Sequence, residues 1–420
     1  MNPVRFLAAI LCALSTFPAL ALDGGRYGEV RVVAPQGEPT GYVIFFSDRK
    51  GWQAQDDEVL TAIARAGGMA IGVDLRRYYA KLASGKRQPC EDLVGDAEGL
   101  ARQHQHELHL STYEFPILAG AGEGGALATR VLAQAPTHTL LGAAAIDPSL
   151  RVHVPRNLCP ARKGGPFGFR ETQAHPVSSP ARSLAQRLAG ILQVHLTPAT
   201  GEGVAALPLE ELPVANASPV LAIVLSGDGG WRDLDRAIAE NLQQHGISVI
   251  GWDCLRYFWR LRTPEETARD LATVLRVYGE RWHAQRFALI GYSFGADVLP
   301  AAYLRLPEDL RRRVSLVSLL ALSPKADWEI SVSGWLGSPP TEAAVPIAQE
   351  LAKVPAKLVQ CMYGAEETDT ICPALAGTGV ELVRTSGGHH FDHDYDGLAR
   401  RILARLDEGA QIQDLNRPKP

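Results

Sequence analysis

Short apolar runs and longer stretches with helical spacing alternate along this chain. Apolar runs stand at Tyr42-Val43-Ile44-Phe45-Phe46, at Leu221-Ala222-Ile223-Val224-Leu225 and at Phe287-Ala288-Leu289-Ile290. Near the end, Lys357 to Tyr363 and Val380 to Val383 read as the penultimate and last strands. Between them, Leu234 to Gln244, Pro264 to Tyr278 and Ala296 to Leu304 read as helices. Such alternation predicts an α/β fold, with mostly parallel sheets covered on both faces by helices. Catalytic groups in these sheets gather at the carboxyl ends of the strands.

The pattern occurs twice. Trp52 and Trp231, and Asp74 and Asp253, are separated by the same 179 positions, inside matching segments such as Gly72-Val73-Asp74-Leu75-Arg76 and Gly251-Trp252-Asp253-Cys254-Leu255. A third match, Gly120-Ala121-Gly122-Glu123-Gly124 with Gly291-Tyr292-Ser293-Phe294-Gly295, has an offset of 171, which leaves about eight extra residues in the first half near Ser84 to Pro89. A unit this long is a duplicated domain rather than a solenoid repeat. The 420 residues also exceed what one compact core organises. The expected layout is a signal peptide over 1–21, a degenerate α/β domain over 22–196, a Pro-, Ala- and Gly-rich linker over 197–219 and a catalytic domain over 220–420.

The leader rests on Met1 to Arg5, an apolar run from Phe6 to Leu14 and the cleavage-like Ala19-Leu20-Ala21. The run falls well short of the roughly 20 residues that span a bilayer, so an exported, periplasmic protein is expected. Export permits disulfides. Cys361 with Cys372 and Cys90 with Cys159 are the expected pairs, leaving Cys254 as a buried thiol. The cysteine spacings fit no zinc pattern, and neither a metal nor a cofactor is expected. A formal charge of −4 without a basic tail gives no reason to expect nucleic acid as a partner.

The third match carries candidate chemistry. Gly291-Tyr292-Ser293-Phe294-Gly295 fits G-x-S-x-G, the strand-to-helix elbow that exposes a serine hydroxyl above an α/β-hydrolase sheet. The first half has Gly122 at the serine position, so it is read as a copy without a nucleophile. A serine needs a histidine to take its proton and an acid to orient that histidine, in the chain order Ser, acid, His. Within Gly387-Gly388-His389-His390-Phe391, His390 is the first choice and His389 the alternate. After the penultimate strand, Asp369 is the first choice of acid because Pro373 follows four residues later; Glu367 is the alternate. Asp228 and Gly229, on the loop after an early strand, together with the N–H of Phe294, are expected to form the oxyanion hole. The phosphate-loop pattern is absent, which argues against a nucleotide site. Arg256, Tyr257 and Trp259, with Trp231, are expected to bind substrate, since amphipathic rings and guanidinium groups suit a phosphate-bearing lipid head group. A packed aromatic corner accounts for them equally well.

Taken together, Leu225-Ser226-Gly227-Asp228-Gly229-Gly230-Trp231, Gly291 to Asp297 and Gly387 to Asp392 make the chain resemble the VirJ/AcvB family of bacterial virulence proteins. The motifs cover roughly residues 205 to 410, while the duplicated layout looks like the longer AcvB-type members. The resemblance implies a periplasmic α/β hydrolase that cleaves the amino-acid ester of lysyl- or alanyl-phosphatidylglycerol, with Ser293 as nucleophile and a histidine of the Gly-Gly-His-His-Phe motif as base. The phospholipid head group at the membrane surface is then the partner. Family members are also linked to type IV secretion, and a non-catalytic periplasmic adaptor for secretion components is the competing reading, together with an esterase of another substrate.

Overall fold

The computed structural model describes residues 20–173, 182–196, 203–330 and 344–415. The leader over 1–21 therefore lies almost wholly outside the described residues, as does the linker segment 197–202. The expected cut after Ala21 falls inside the first strand.

Two seven-stranded sheets share the order of six of their strands. The first contains β1 (Leu20–Asp23), β2 (Glu29–Val33), β3 (Tyr42–Phe46), β4 (Met69–Val73), β5 (Pro116–Ala121), β6 (Gly142–Ile146) and β7 (Phe169–Gln173). Its spatial order is β1-β2-β4-β3-β5-β6-β7. The second contains β8 (Leu209–Leu212), β9 (Val220–Leu225), β10 (Ser248–Trp252), β11 (Arg286–Tyr292), β12 (Val314–Leu320), β15 (Val359–Gly364) and β16 (Glu381–Thr385). A separate two-stranded ribbon pairs β13 (Lys325–Ala326) with β14 (Val345–Pro346). The large second sheet runs β8-β10-β9-β11-β12-β15-β16, so β8 to β15 repeat the order of β2 to β7. In both sheets the β2 or β8 strand pairs antiparallel to its neighbour, and the strands that follow it across the sheet are parallel.

The apolar runs form strands buried on both faces because alternate side chains enter different cores. Tyr42, Ile44 and Phe46 join one cluster and Val43 and Phe45 another; Leu221, Ile223 and Leu225 likewise separate from Val220, Ala222 and Val224. The inner-face residues of both halves belong to a single continuous core, whereas each outer face has its own. Helix starts repeat with the sheets. Asp74 caps helix Leu75–Ser84 by accepting from the Arg76 N–H, and Asp253 caps helix Cys254–Tyr257 by accepting from the Arg256 N–H. The extra residues of the first half lengthen its copy of that helix from 4 residues to 10 and add the loop behind it.

Cys90 pairs with Cys159 and Cys361 with Cys372, while Cys254 is a buried free thiol. Two disulfides fit a protein that works outside the cytoplasm. Among the described residues no helix is long and apolar enough to cross a membrane.

The two halves meet through aromatic rings and ion pairs. Trp259 packs on Tyr113 with ring centroids 4.9 Å apart and meets His106 edge-on, while the Arg256 guanidinium lies 5.7 Å from the Phe115 ring. Glu98 pairs with Arg232 across the junction, and Arg102 Nη2 donates to the Gly229 carbonyl at 3.3 Å.

Candidate active site

Strand β11 ends at Tyr292, and Ser293 turns the chain into helix Phe294–Leu304 with φ 51° and ψ −119°. A non-glycine residue held at such angles is strained, and the flanking glycines are what let the surroundings hold it. A Cβ at Gly291 would lie 2.5 Å from the Gly295 carbonyl oxygen, and one at Gly295 would lie 2.5 Å from that of Leu225. Each glycine is thus required by the close approach of strand, turn and helix.

The base and acid come from the last two strands. After β16, the carbonyl of Gly387 accepts the Glu366 N–H at 2.8 Å and that of Thr385 accepts the Ala365 N–H at 2.9 Å. These bonds tie the histidine loop to the acidic loop beyond β15. Gly364, at the end of β15, packs so closely on Gly388 that a Cβ there would collide with the Gly388 carbonyl. The result is a linear relay. His389 Nε2 lies 3.0 Å from Ser293 Oγ, and His389 Nδ1 lies 2.7 Å from Glu367 Oε1. The Glu367 side chain is 3% exposed and its second oxygen accepts the Gly364 N–H at 3.4 Å. Burial disfavours the charged form of His389, but the hydrogen bond and charge of Glu367, aided by Asp369 and Asp228, carry its pKa above the ordinary 6.5.

The first choices of base and acid are corrected by this geometry. His390 Nδ1 lies 3.0 Å from the Tyr292 hydroxyl, and its ring stacks on His393 with centroids 6.3 Å apart. The Gly-Gly turn swings the first histidine inward and leaves the second exposed. Burial, together with the neighbouring His389 and His393, holds the pKa of His390 below its ordinary value. Asp369 is exposed and reaches His389 only through its charge. Glutamate, one methylene longer, spans to the ring from a position nearer the strand end.

Ser293 and His389 open into a cavity of about 530 Å³ whose wall includes Asp228 and Gly229 from the Gly-rich loop after β9. On that loop, a Cβ at Gly227 would lie 3.6 Å from Ser293 Cβ. Phe294 follows Ser293 directly, so its N–H opens the first turn of the helix. The first half shows what this elbow attracts. Gly122 has φ 55° and ψ −121°, and the next N–H, that of Glu123, donates to Asp48 Oδ1 at 2.9 Å. A Cβ at Gly122 would collide with the Asp48 carboxylate. The copy without a nucleophile has therefore filled its anion position with its own side chain.

The proposed substrate-binding residues are also corrected. Arg256, Tyr257, Trp259 and Trp231 do not line the cavity. Trp231 is buried over Gly251, Tyr257 is buried and donates to Asp270 Oδ2 at 2.6 Å, and Trp259 and Arg256 pack on the first half. Large rings gain most by leaving water, and a second half with its own inner face supplied the surface. In their place the cavity wall has Tyr292, Arg232 and, from the first half, Arg162 and Pro136. Tyr292 was within reach of sequence reasoning as the variable position of the elbow. Nothing in the pattern linked Arg162 to a serine far along the chain. Among the described residues no group of three or more His, Cys, Asp and Glu side chains is arranged to hold a metal ion.

Residues 219–410 match the model of a family described as bacterial virulence protein (VirJ). Over these residues, a little under half of the chain, it is similar to the VirJ family. The match spans β9 to the last helix, and so contains Ser293, Glu367 and His389; the first half lies outside it. No curated protein matches the chain. Among solved structures, this chain is similar to Est1E from Butyrivibrio proteoclasticus, at 13% identity over 48% of this chain and 93% of that one, with a TM-score of 0.35. It is similar also to an esterase from Exiguobacterium antarcticum, at 12% identity over 47% and 94% of the two chains, with a TM-score of 0.34. A CIB-like hydrolase from Thermoplasma acidophilum gives 15% identity over 47% and 90%, with a TM-score of 0.34. The parallel sheets, the elbow and the order Ser, acid, His make the second half a domain of α/β-hydrolase type.

Proposed function

We propose that the protein is a periplasmic serine esterase that removes the amino acid from aminoacyl-phosphatidylglycerol. One observation carries the reading: the unbroken relay from Ser293 Oγ through His389 to Glu367, at 3.0 and 2.7 Å, facing an open cavity. His389 Nε2 takes the hydroxyl proton as Oγ attacks the ester carbonyl carbon, and Glu367 stabilises the imidazolium that forms. The oxyanion is met by the Phe294 N–H and the Gly227 to Gly229 loop. As the tetrahedral intermediate collapses, His389 returns the proton to the departing glycerol oxygen, leaving an aminoacyl ester on Ser293. Water then attacks with His389 as base, and the free amino acid leaves.

The lipid substrate rests on the likeness of residues 219–410 to the VirJ family and on a cavity wide enough for a head group; 530 Å³ lies within the usual range for small-molecule sites. The test is release of free amino acid from lysyl- and alanyl-phosphatidylglycerol by the mature protein and by a folded Ser293→Ala variant. Release that disappears in the variant supports the reading and ranks the two head groups. A well-folded protein that releases nothing and resists a fluorophosphonate probe would be an adaptor instead.

A further inference from the structure

We infer that the first half completes the active site, and that its Arg162 recognises a phosphate on the alcohol side of the ester; this deepens the esterase reading and rests on it. Arg162 and Pro136 are the parts of the first half that enter the wall of the cavity holding Ser293 and His389. Arg162 is anchored at three points. Its backbone N–H donates to the Ala133 carbonyl at 2.9 Å, its Nε to the Gln134 carbonyl at 3.1 Å, and its Nη1 to Asp233 at 2.8 Å across the junction. Both members of that ion pair are more than two-fifths exposed, so the pair itself adds little stability. What three anchors achieve is orientation. They fix a planar guanidinium that has donors to spare at the cavity edge, and a pre-organised fork of that kind matches phosphate oxygens.

Arg232 lines the same cavity and pairs with Glu98 of the first half. Its side chain packs on Gly229, where a Cβ would lie 3.5 Å from Arg232 Cδ. Two guanidinium groups, each set in place by a contact that crosses between the halves, thus line the cavity that the Gly-rich loop also borders. The cavity is also bordered by the carboxylates Asp228 and Asp233, so its field is mixed, and an ester with separate cationic and anionic ends suits it better than a neutral one. The copy that lost its nucleophile has kept a function as one wall of its partner's site.

Three alanyl esters test this with the full chain: alanyl-phosphatidylglycerol in vesicles, the soluble alanyl ester of glycerol 3-phosphate, and alanyl-glycerol, which lacks phosphate. For Arg162→Ala, kcat/KM on each phosphate-bearing ester relative to alanyl-glycerol is expected to fall about tenfold or more, as loss of a hydrogen bond to a charged group implies. Arg162→Lys should recover part of that ratio. Arg162→Gln repeats the reading if the alanine variant does not fold. An unchanged ratio, or an equal fall on all three esters, overturns the inference. A fall confined to vesicles also overturns it, since Arg162 would then be sensing the membrane surface rather than a phosphate in the cavity. A wild-type protein that cleaves none of the three and resists a fluorophosphonate probe removes the esterase reading itself, and this inference with it.

Discussion

His389 and His390 are neighbours in sequence with opposite environments. His389 is clamped between Ser293 and Glu367, whereas His390 faces Tyr292 and His393. His389→Ala should therefore lower kcat/KM by about 10³-fold or more, the usual scale for a triad base, while His390→Ala stays within about tenfold. Steady-state assays on one ester with both variants decide between them. Glu367→Gln should lower kcat by about 10²–10⁴, and Asp369→Asn far less. The pH profile tests the same relay. His389 accepts a proton only when neutral, and its pKa is held above 6.5 chiefly by Glu367 working against burial. Activity should thus rise with pH and reach half its plateau above pH 6.5. Glu367→Gln leaves burial unopposed, so the residual activity of that variant should turn at a lower pH. An inflection that stays in place would mean another group titrates.

At the level of elements, the relay depends on the loops after β15 and β16. The Cys361–Cys372 disulfide, whose cysteines stand 11 positions apart, closes the loop that carries Glu367. Replacing both cysteines by alanine should destabilise the protein by about 3 kcal/mol in urea unfolding, and should lower kcat as the acid loses its fixed position. The two elbows offer a second test. Gly122→Ser restores the residue type of a nucleophile in the first half, but the new Cβ meets the Asp48 carboxylate. It should produce no new fluorophosphonate labelling in a Ser293→Ala background and should lower stability by about 1–3 kcal/mol. Much of this scale was legible in the sequence. The G-x-S-x-G pattern gave the elbow, the paired motifs gave two α/β halves of similar build, and the cysteine placement gave both bridges. The choices that went astray, His390 and Asp369, turn on which way a Gly-Gly turn rotates and how far a side chain reaches, which are distances between loops.

The whole molecule is joined by one core that runs through the inner faces of both sheets. Trp259 is its clearest bridge, being 4% exposed and seated on Tyr113. Trp259→Ala should destabilise the protein by about 3–5 kcal/mol. A double-mutant cycle with Tyr113→Ala should return a coupling of about 0.5–1.5 kcal/mol; additive losses would show that the two rings do not support each other. Trp259, one of the rings expected to bind lipid, is thus part of the junction, and ion pairs across that junction hold Arg232 and Arg162 at the site.

By itself, the sequence determined what is written in local pattern: the α/β class, the duplication, the strained serine between glycines, the missing nucleophile at Gly122 and the order of acid and histidine. Those features follow from steric needs and periodicities that act over a few residues. Only the tertiary structure decided which histidine and which acid complete the relay, which rings are buried, and that the first half lends Arg162 to the cavity. Such facts depend on where separate loops and two sheets come to rest against each other, and packing between distant segments leaves no periodic trace in either one.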